Sequence, residues 1–188
     1  KAYDYVTPDV VQTGVGNFFS NLFTPITIVN DFLQGKPGQG SSDIWRLLIN
    51  STIGIGGIFD PATPMGFEKH KEDFGQTLGR WGIGEGWYLM LPILGPSTVR
   101  DSLGNITVDV FLNPLNYTDI EPRIAANIIS AIHTRAGLLP LDSAIEDAVD
   151  SYIFVRTAFL QRRLNDVFDG NPPELGYDFE SDLEGFED

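Results

Sequence analysis

Cysteine is absent from the 188-residue sequence, which excludes disulfide bonds, thiolate nucleophiles and cysteine-ligated zinc. Basic residues are scarce: 12 Lys and Arg stand against 26 Asp and Glu, giving a formal net charge of −14 at pH 7. Because phosphate neutralisation requires a basic surface, this balance excludes binding to nucleic acid through bulk charge. The only histidines, His70 and His133, lie far apart without an HExxH motif, so we expect no metal site and predict surface or capping roles for them.

The least charged stretch lacks the continuous apolar character of a transmembrane helix. Residues 10–30 carry no formal charge and are long enough for a bilayer core of about 30 Å, but Gln, Asn, Thr and Ser interrupt them. Their apolar residues recur at helical spacing, which predicts an amphipathic helix. The predicted membrane face consists of Val15, Phe18, Phe19 and Leu22. Residues 47–59 and 81–99 are similar, which favours helices at a membrane interface; a helical domain with an ordinary buried core is the alternative.

Helical spacing and capping residues predict one all-α domain of short amphipathic helices at residues 1–170. The hydrophobic content of 42% is too high for disorder, while 20 Gly and 12 Pro interrupt long helices. The predicted helices are 8–23, 24–34, 41–53, 72–80, 96–111, 121–136, 141–149 and 150–168, with Thr24 and Pro25 separating the first two, Gly35 ending the second, and Ser41, Ser42 or Asp43 capping the third. Residues 171–188 are rich in acids without a base, which predicts a disordered tail.

Motifs for catalysis are weak. Ser97 lacks the second glycine of a nucleophile elbow and precedes a predicted helix, so we expect it to cap that helix. GIGEGW at 82–87 lacks the third glycine of a dinucleotide fingerprint, and GKPGQGSS at 35–42 lacks the Lys-Ser pair of a phosphate-binding loop. NDVFDG places Val167 where a calcium ligand is required. We therefore expect a protein that is not an enzyme and needs no cofactor.

Several motifs together resemble one known family. They are FLQGKPGQG at 32–40, Arg46, Asn50, GIGGIFD at 54–60, DFGQTLGRWGIGEGWYLMLPILGPSTVRD at 73–101, IHTRAGLL at 132–139 and DSYIFVRTAFLQRR at 150–163. In this order, and without large gaps, the chain resembles the MlaA family, also called VacJ, over about residues 5–165. The FGQTLGxWGxGxG block is the most specific part of the resemblance.

The resemblance implies an outer-membrane lipoprotein of diderm bacteria that removes misplaced phospholipid from the outer leaflet and so maintains lipid asymmetry. Family members are ring-like bundles of helices in the inner leaflet, on the periplasmic side, with an amphipathic channel through the ring. They associate with porin trimers and pass lipid to a soluble periplasmic carrier, MlaC. The family's amino-terminal lipobox cysteine, which carries the lipid anchor, does not occur in this sequence. Two alternatives stay open: a lipid-acting hydrolase or acyltransferase using Ser97 or an Asp, and a scaffold lipoprotein that only binds porins.

A phospholipid path must offer polar groups to the headgroup while the acyl tails stay in hydrocarbon. Arginine suits this role because its planar fork donates two hydrogen bonds to phosphate. The predicted headgroup contacts are Arg80, Arg100, Asp101 and Arg156. The alternatives are that Arg100 and Asp101 tie helices together and that Arg156 forms a surface ion pair.

Residues 81–95 hold too many glycines and prolines for a regular helix, so a hairpin or ordered loop is predicted there. Glycine reaches positive φ without steric cost, and the tip is apolar enough to touch lipid tails. We expect this hairpin to gate the lipid path; a rigid turn packed on the core is the alternative. The gating residues are predicted to be Gly82, Gly84, Gly86, Trp87, Tyr88, Leu91 and Pro92.

Overall fold

A computed structural model describes residues 6–91 and 95–173, so Pro92 and residues 174–188 of the predicted tail lie outside the described residues. The elements are α1 (Asp9–Leu33), α2 (Pro37–Thr52), α3 (Phe74–Arg80), β1 (Tyr88–Leu91), β2 (Gly95–Thr98), α4 (Val99–Leu112), α5 (Ile120–Leu138), α6 (Asp142–Glu146) and α7 (Ser151–Val167), with 3₁₀ turns at Pro114–Tyr117 and Leu139–Leu141. Within the described residues, strands are confined to one hairpin. The predicted all-α, single-domain fold is confirmed.

Helix α1 is continuous through Pro25, so the predicted break at Thr24 and Pro25 is wrong. A proline inside a helix removes one backbone hydrogen bond and costs about 3 kcal/mol, which tertiary contacts must offset. Helix α1 packs along α2, and Asn21 Nδ2 donates to Ser51 Oγ of α2 at 2.9 Å. This packing holds the turn around the proline in helical conformation.

The connection from α1 to α2 is short and depends on one glycine. Gly35 has φ +76° and follows the C-cap residue Gln34, which confirms its predicted role at the end of the helix. Helix α2 begins at Pro37 and not at the predicted caps in residues 41–43. Proline is favourable at the first helical position because no backbone partner exists there for the missing N–H. Asp43, which does not cap the helix, is buried within it.

The hairpin lies later in the chain than predicted. Strands β1 and β2 are antiparallel, with Tyr88 opposite Thr98 and Leu91 opposite Gly95. The predicted hairpin at 81–95 and the predicted helix start at 96 are therefore both displaced, since β2 extends to Thr98. Thr98 Oγ1 accepts a hydrogen bond from the Asp101 backbone N–H at 3.2 Å, so Thr98, and not Ser97, caps α4.

Two helices begin directly after an aspartate that caps them. Asp150 Oδ1 accepts from the Ile153 N–H at 2.9 Å and starts α7, which agrees with the predicted helix at 150–168. Asp73 Oδ1 accepts from the Gln76 N–H at 2.9 Å and starts α3. The predicted helix at 121–136 is confirmed as α5, while the one predicted at 141–149 shortens to α6.

Burial in this fold is inverted relative to a water-soluble protein. The most enclosed large side chains are polar, namely Asn30, Thr77, Thr98, Asp31 and Asp43, whereas the buried apolar residues are Phe19, Ala62, Leu115 and Val167. Many large apolar side chains point outward instead, among them Trp45, Phe59, Trp87, Phe111 and Ile124. Apolar exposure on this scale marks a surface that meets something other than water. The alternative, an ordinary buried apolar core, is therefore wrong for the described residues.

Helix α5 shows this inversion most clearly because none of its residues is buried. Ile120, Ile124 and Ile128 recur every fourth residue and are 65%, 52% and 54% exposed. The helical stretch Ile120–Glu146 is long and apolar enough, by length and composition, to cross a membrane. The helix predicted at 121–136 lies in this stretch, but its capacity to cross a membrane is not among the predictions above.

Candidate functional site

A polar cavity of about 370 Å³ lies between α1, α2, α5 and the extended segment at residues 67–72. Its lining includes Asn17, Ser20, Asn21, Thr24 and Thr27 of α1, Asp43, Arg46 and Asn50 of α2, Ser130, His133 and Thr134 of α5, and Asp60, Lys69, His70, Lys71 and Glu72 from the loop. Ionisable groups of both signs are present, and the volume falls within the range of about 300–1,000 Å³ typical of small-molecule sites.

Arg46 organises one wall of the cavity. Its guanidinium donates from Nη2 to Asp60 Oδ2 at 2.8 Å and from Nη1 to Thr63 Oγ1 at 3.1 Å and to the Phe67 carbonyl. Asn50 Nδ2 donates to the other carboxylate oxygen of Asp60 at 2.9 Å. Although burial raises the pKa of Asp60, the hydrogen bonds from Thr63, Asn50 and Arg46 hold it below its ordinary value. The charge of Arg46 is thus matched within the wall itself.

The GIGG motif brings Asp60 into this position. Gly57 has φ +89°, and a Cβ on it would lie 2.4 Å from the Cβ of Asn21 on α1. A Cβ on Gly54 would lie 2.4 Å from the Phe59 carbonyl oxygen. Only glycine fits at both positions, so the loop closes against α1 and presents Asp60 to Arg46.

Both histidines face the cavity, which contradicts the surface and capping roles predicted for them. His70 Nδ1 lies 3.0 Å from Oδ2 of the buried Asp43 and is thereby fixed against α2. His133 meets α1 where Gly16 leaves room, since a Cβ on Gly16 would lie 2.8 Å from His133 Nε2. In the part of the chain that the structure describes, no group of three or more His, Asp or Glu side chains is placed to hold a metal ion.

Lys69 and Lys71 add positive charge to the cavity wall. Among the described residues, neither ammonium group has a carboxylate within ion-pair distance, unlike Lys36, whose Nζ lies 3.0 Å from Glu72 Oε1. Partial burial lowers the pKa of Lys69, the charge of Asp60 opposes this shift, and the charges of Arg46 and Lys71 add to it. Both lysine side chains are exposed, and within the described residues neither has a carboxylate within ion-pair distance.

An apolar groove of about 940 Å³ lies beside the polar cavity. Its walls are the first half of α1, the loop around Ile58 and Phe59, and the start of α5 with Pro122, Ala125, Ala126 and Ile129. Asn17, Phe19 and Asp60 line both the groove and the cavity. A polar compartment and an apolar compartment therefore share a wall.

A separate charged cluster ties α3, α4 and α7 together. Arg163 of α7 donates to Asp101 from Nε and Nη2 at 2.8 and 2.9 Å, and to Asp73 from Nη1 and Nη2 at 2.7 and 2.9 Å. Burial raises the pKa of Asp73, but the hydrogen bonds and charge of Arg163 outweigh it and hold the pKa below its ordinary value. A Cβ on Gly75 would lie 2.4 Å from Asp101 Oδ1, so glycine is required for this close approach.

A third polar cluster fills the space between the end of α1 and α3. Thr77 Oγ1 donates to Asn30 Oδ1 at 2.7 Å, and Gln34 Nε2 donates to Glu72 Oε2 at 2.8 Å. Asp31 is fully buried beside this cluster. Burial, with the charges of Asp43 and Glu72, raises the pKa of Asp31 to about 7.

The predicted membrane face is divided by the structure. Val15 and Phe18 line the apolar groove, and Phe18 is 39% exposed. Phe19 is buried where the groove and the polar cavity meet, so it faces inward and not outward as predicted. Leu22 is half-buried.

The four predicted headgroup contacts do not line either compartment as described. Arg100 Nε lies 3.1 Å from Asp101 Oδ1, and both belong to the buried Arg163 cluster. These contacts agree with the alternative prediction for Arg100 and Asp101, that they tie helices together. Arg80 and Arg156 are exposed on α3 and α7.

The predicted gating residues are attached to neighbouring elements. Gly82 and Gly86 have φ +87° and +69°, whereas Gly84 is not in the left-handed region. Val99 N–H donates to the Trp87 carbonyl at 3.0 Å, which fixes the loop to the start of α4, although the Trp87 side chain is 82% exposed. Tyr88 packs edge-on against Tyr152 and Phe159 of α7, while Leu91 ends β1. Gating by this loop stays a prediction.

The cavity owes its chemistry above all to Arg46, Lys69, His70 and Lys71. The sequence points to Arg46 through the family motifs and assigns His70 a surface or capping role, whereas Lys69 and Lys71 are missed. Segment 67–72 is extended, so it has no helical period that would mark an inward face. The available signal was EKHKE at 68–72, a local run of bases in a strongly acidic chain.

The polar interior, the apolar exterior and the two adjoining compartments are those of an all-α, membrane-associated protein. The family model for the MlaA lipoprotein matches residues 1–166, and the chain belongs to this family. The resemblance inferred from the sequence is thereby confirmed.

Similar proteins include the intermembrane phospholipid transport system lipoprotein MlaA of Escherichia coli, 38% identical over 162 residues, which cover 85% of this chain and 64% of that protein. An uncharacterised protein of Rickettsia prowazekii is 36% identical over 165 residues, covering 86% of this chain and 65% of that protein. The chain thus spans just under two thirds of the length of these relatives. A solved structure described as the structural basis for maintenance of bacterial outer membrane lipid asymmetry superposes with a TM-score of 0.77 at 34% identity, covering 90% of this chain and 85% of that one.

Proposed function

We propose that this chain is a phospholipid channel of the bacterial outer membrane, which removes misplaced phospholipid from the outer leaflet and so maintains lipid asymmetry. The observation that carries the proposal is the polar cavity lying beside the apolar groove, with Asn17, Phe19 and Asp60 lining both. A phospholipid has this same division, a charged headgroup joined to apolar tails. The headgroup occupies the cavity and the tails occupy the groove.

The location of the chain and its partners are inferred from the family to which it belongs. The chain sits in the inner leaflet on the periplasmic side, and its outward apolar side chains contact lipid tails. Family members are normally held there by an amino-terminal lipid anchor, whose cysteine this sequence does not contain. Burial of apolar area stabilises such an association by roughly 25 cal/mol per Å². The partners are a porin trimer and an MlaC-like periplasmic carrier that receives the lipid. Support comes from the family membership and from the phospholipid transport role in the name of the Escherichia coli relative.

Transport requires no bond to be broken, and the described chain offers little to break one. The Ser97 hydroxyl lies 2.8 Å from Ser102 Oγ at the start of α4, whereas His70 and His133 line the polar cavity. A serine nucleophile needs a base within hydrogen-bond reach. The hydrolase or acyltransferase alternative is therefore not favoured.

The test is photo-crosslinking of lipid from inside the cavity. A benzophenone amino acid replaces Ser130, which lines the cavity, or Ala131, its exposed neighbour on α5, in cells labelled with ³²P. The protein is purified in detergent before irradiation, so that lipid on its outer surface has been exchanged for detergent. We expect a ³²P-phospholipid adduct at position 130 and little at 131, with the unbound lipid recovered chemically intact.

Two results would contradict the proposal. Equal labelling at positions 130 and 131 would mean that lipid contacts only the exterior. Release of lysophospholipid or fatty acid by the purified chain would support the enzymatic alternative instead.

A further inference from the structure

We infer that Lys69 and Lys71 form a phosphate subsite in the polar cavity, which binds the phosphate group of a phospholipid headgroup. The inference rests on the proposed function and assigns one part of the ligand to named side chains. Both lysines line the cavity from the extended segment between α2 and α3.

Within the described part of the chain, the carboxylates that line the cavity are paired with other side chains, whereas two of its lysines are not. Each lining carboxylate already has a partner: Asp43 lies 3.0 Å from the His70 ring and 3.9 Å from Arg46, Asp60 pairs with Arg46 at 2.8 Å, and Glu72 pairs with Lys36 at 3.0 Å. Among the described residues, Lys69 and Lys71 have no such partner. Both lysine side chains are exposed, so their ammonium groups are accessible to an anion that enters the cavity.

Lysines without a carboxylate partner are unexpected in a chain as acidic as this one. Acids outnumber bases by 26 to 12, so a carboxylate is the commonest charged neighbour a lysine can find. In the part of the chain that is described, Lys69 and Lys71 both lack one within ion-pair distance. Burial lowers the pKa of Lys69, the more distant charge of Asp60 raises it, and repulsion by Arg46 and Lys71 lowers it further. An anion bound between the two lysines removes this repulsion.

The chemistry of a phosphodiester matches a pair of lysines. A phosphodiester carries one negative charge on two non-bridging oxygens, and each oxygen accepts a hydrogen bond from an ammonium group. Such charge-assisted bonds are roughly twice as strong as neutral ones, and lysine binds phosphate as a point charge without demanding one fixed angle. A lysine pair therefore suits the group that all phospholipids share, whatever alcohol the headgroup carries.

The position of the lysines also orients the lipid. They line the polar cavity and not the apolar groove, whereas Val15, Phe18 and Ile129 line the groove only. Phosphate held at Lys69 and Lys71 leaves the glycerol near the shared wall at Asn17 and Phe19, with the tails beyond it.

Calorimetric titration of the purified full chain in detergent tests the subsite. The probes are dihexanoyl phosphatidylglycerol, dihexanoylglycerol, which lacks the phosphate, and inorganic phosphate. For the Lys69→Gln/Lys71→Gln variant we expect at least about a tenfold loss of affinity for the phospholipid and no change for dihexanoylglycerol. The charge-conserving Lys69→Arg/Lys71→Arg variant should stay within about threefold of the wild type.

The matched control is Arg135→Gln/Arg162→Gln, which removes the same charge from exposed ion pairs outside the cavity and should leave all affinities unchanged. Unchanged phospholipid affinity in the lysine-to-glutamine variant would overturn the subsite while leaving the proposed function standing. Inorganic phosphate binding as tightly as the phospholipid would identify a site for free anions and also overturn it. If the wild-type chain bound neither lipid, the proposed function itself would fail.

Discussion

The buried Arg163 cluster and the lysine wall, formed by the exposed Lys69 and Lys71 at the polar cavity, are both charged regions, but they differ in how their charges are matched. Arg163 donates four hydrogen bonds, two to Asp73 and two to Asp101, and its charge is surrounded by carboxylate oxygens. The two lysines have no carboxylate partner among the described residues. A fully matched cluster holds helices together, whereas an unmatched one is available to a ligand.

This contrast separates stability from function in a molecule whose interior is mainly polar. Buried charges are tolerated only when they are paired, since an isolated buried charge loses its hydration without compensation. The Arg163 cluster should therefore respond to substitution through folding. The lysine wall should respond through binding, with little change in stability.

The largest effect is expected from Arg163→Met. Removing the guanidinium leaves Asp73 and Asp101 without their common partner, and breaking a buried ion pair in this way costs about 3–5 kcal/mol. Arg162→Met is the matched control, because the adjacent side chain is 70% exposed and pairs with Asp166 at 3.8 Å, so its loss should cost at most about 1 kcal/mol. Thermal unfolding in detergent measures both, and similar losses in the two variants would contradict a structural role specific to Arg163.

The second-largest effect is expected from Asp31, whose protonation makes the stability of the fold depend on pH. Its pKa is about 7 in the folded chain against an ordinary 3.8, so between these values the folded chain binds more protons than the unfolded one, and stability falls as pH rises through this window. Asp31→Asn removes the titration and should raise stability at pH 8 by on the order of 2–4 kcal/mol, with little difference near pH 4. The exposed Asp147→Asn serves as control. Parallel stability profiles for the wild type and Asp31→Asn between pH 4 and 8 would contradict the assignment.

The secondary structure was largely predictable where its causes are local. Asp150 as a cap, Gly35 with positive φ and the apolar spacing of α5 are visible in the sequence, and the corresponding helix ends agree with the structure. Pro25 was misjudged because contacts between α1 and α2, distant in sequence, keep the helix continuous.

The site was less predictable for two physical reasons. The pairing of Arg163 with Asp73 joins residues 90 positions apart, which no local pattern reports. The usual assignment of apolar residues to the interior also fails when the exterior contacts lipid, so periodicity indicated the apolar face of α1 without revealing that Phe19 faces inward. The family motifs pointed to Arg46, but the pairing that explains it depends on the GIGG turn and Asp60.

A smaller effect on stability is expected when a glycine in the first turn of α2 or α3 is replaced by alanine, and the two replacements should differ in sign. Gly75→Ala places a Cβ 2.4 Å from Asp101 Oδ1 in the Arg163 cluster and should cost about 1–3 kcal/mol through overpacking. Gly38→Ala meets nothing within 4 Å and should stabilise the chain by about 0.5–1 kcal/mol through its helix propensity. Unfolding midpoints give both values, and an equal response would show that the cluster is loosely packed.

The smallest effect on stability is expected at the lysine wall. Lys69→Gln/Lys71→Gln removes exposed charges whose mutual repulsion is opposed by the attraction of Asp60, so the free energy of unfolding should change by less than about 0.5 kcal/mol. The measurement is thermal unfolding without added lipid, using the same preparation as the titrations. A loss of more than about 2 kcal/mol would mean that the lysines are structural, like Arg163, and would remove the contrast between the two regions.

The central claim, that one phospholipid spans the polar cavity and the apolar groove, is tested most directly by a crystal structure with a phospholipid brominated in its acyl chains. The account predicts anomalous bromine signal in the groove beside Val15, Phe18 and Ile129, and phosphate density within hydrogen-bond distance of Lys69 and Lys71. Bromine found only on the outer apolar surface, with no headgroup density in the cavity, would contradict it.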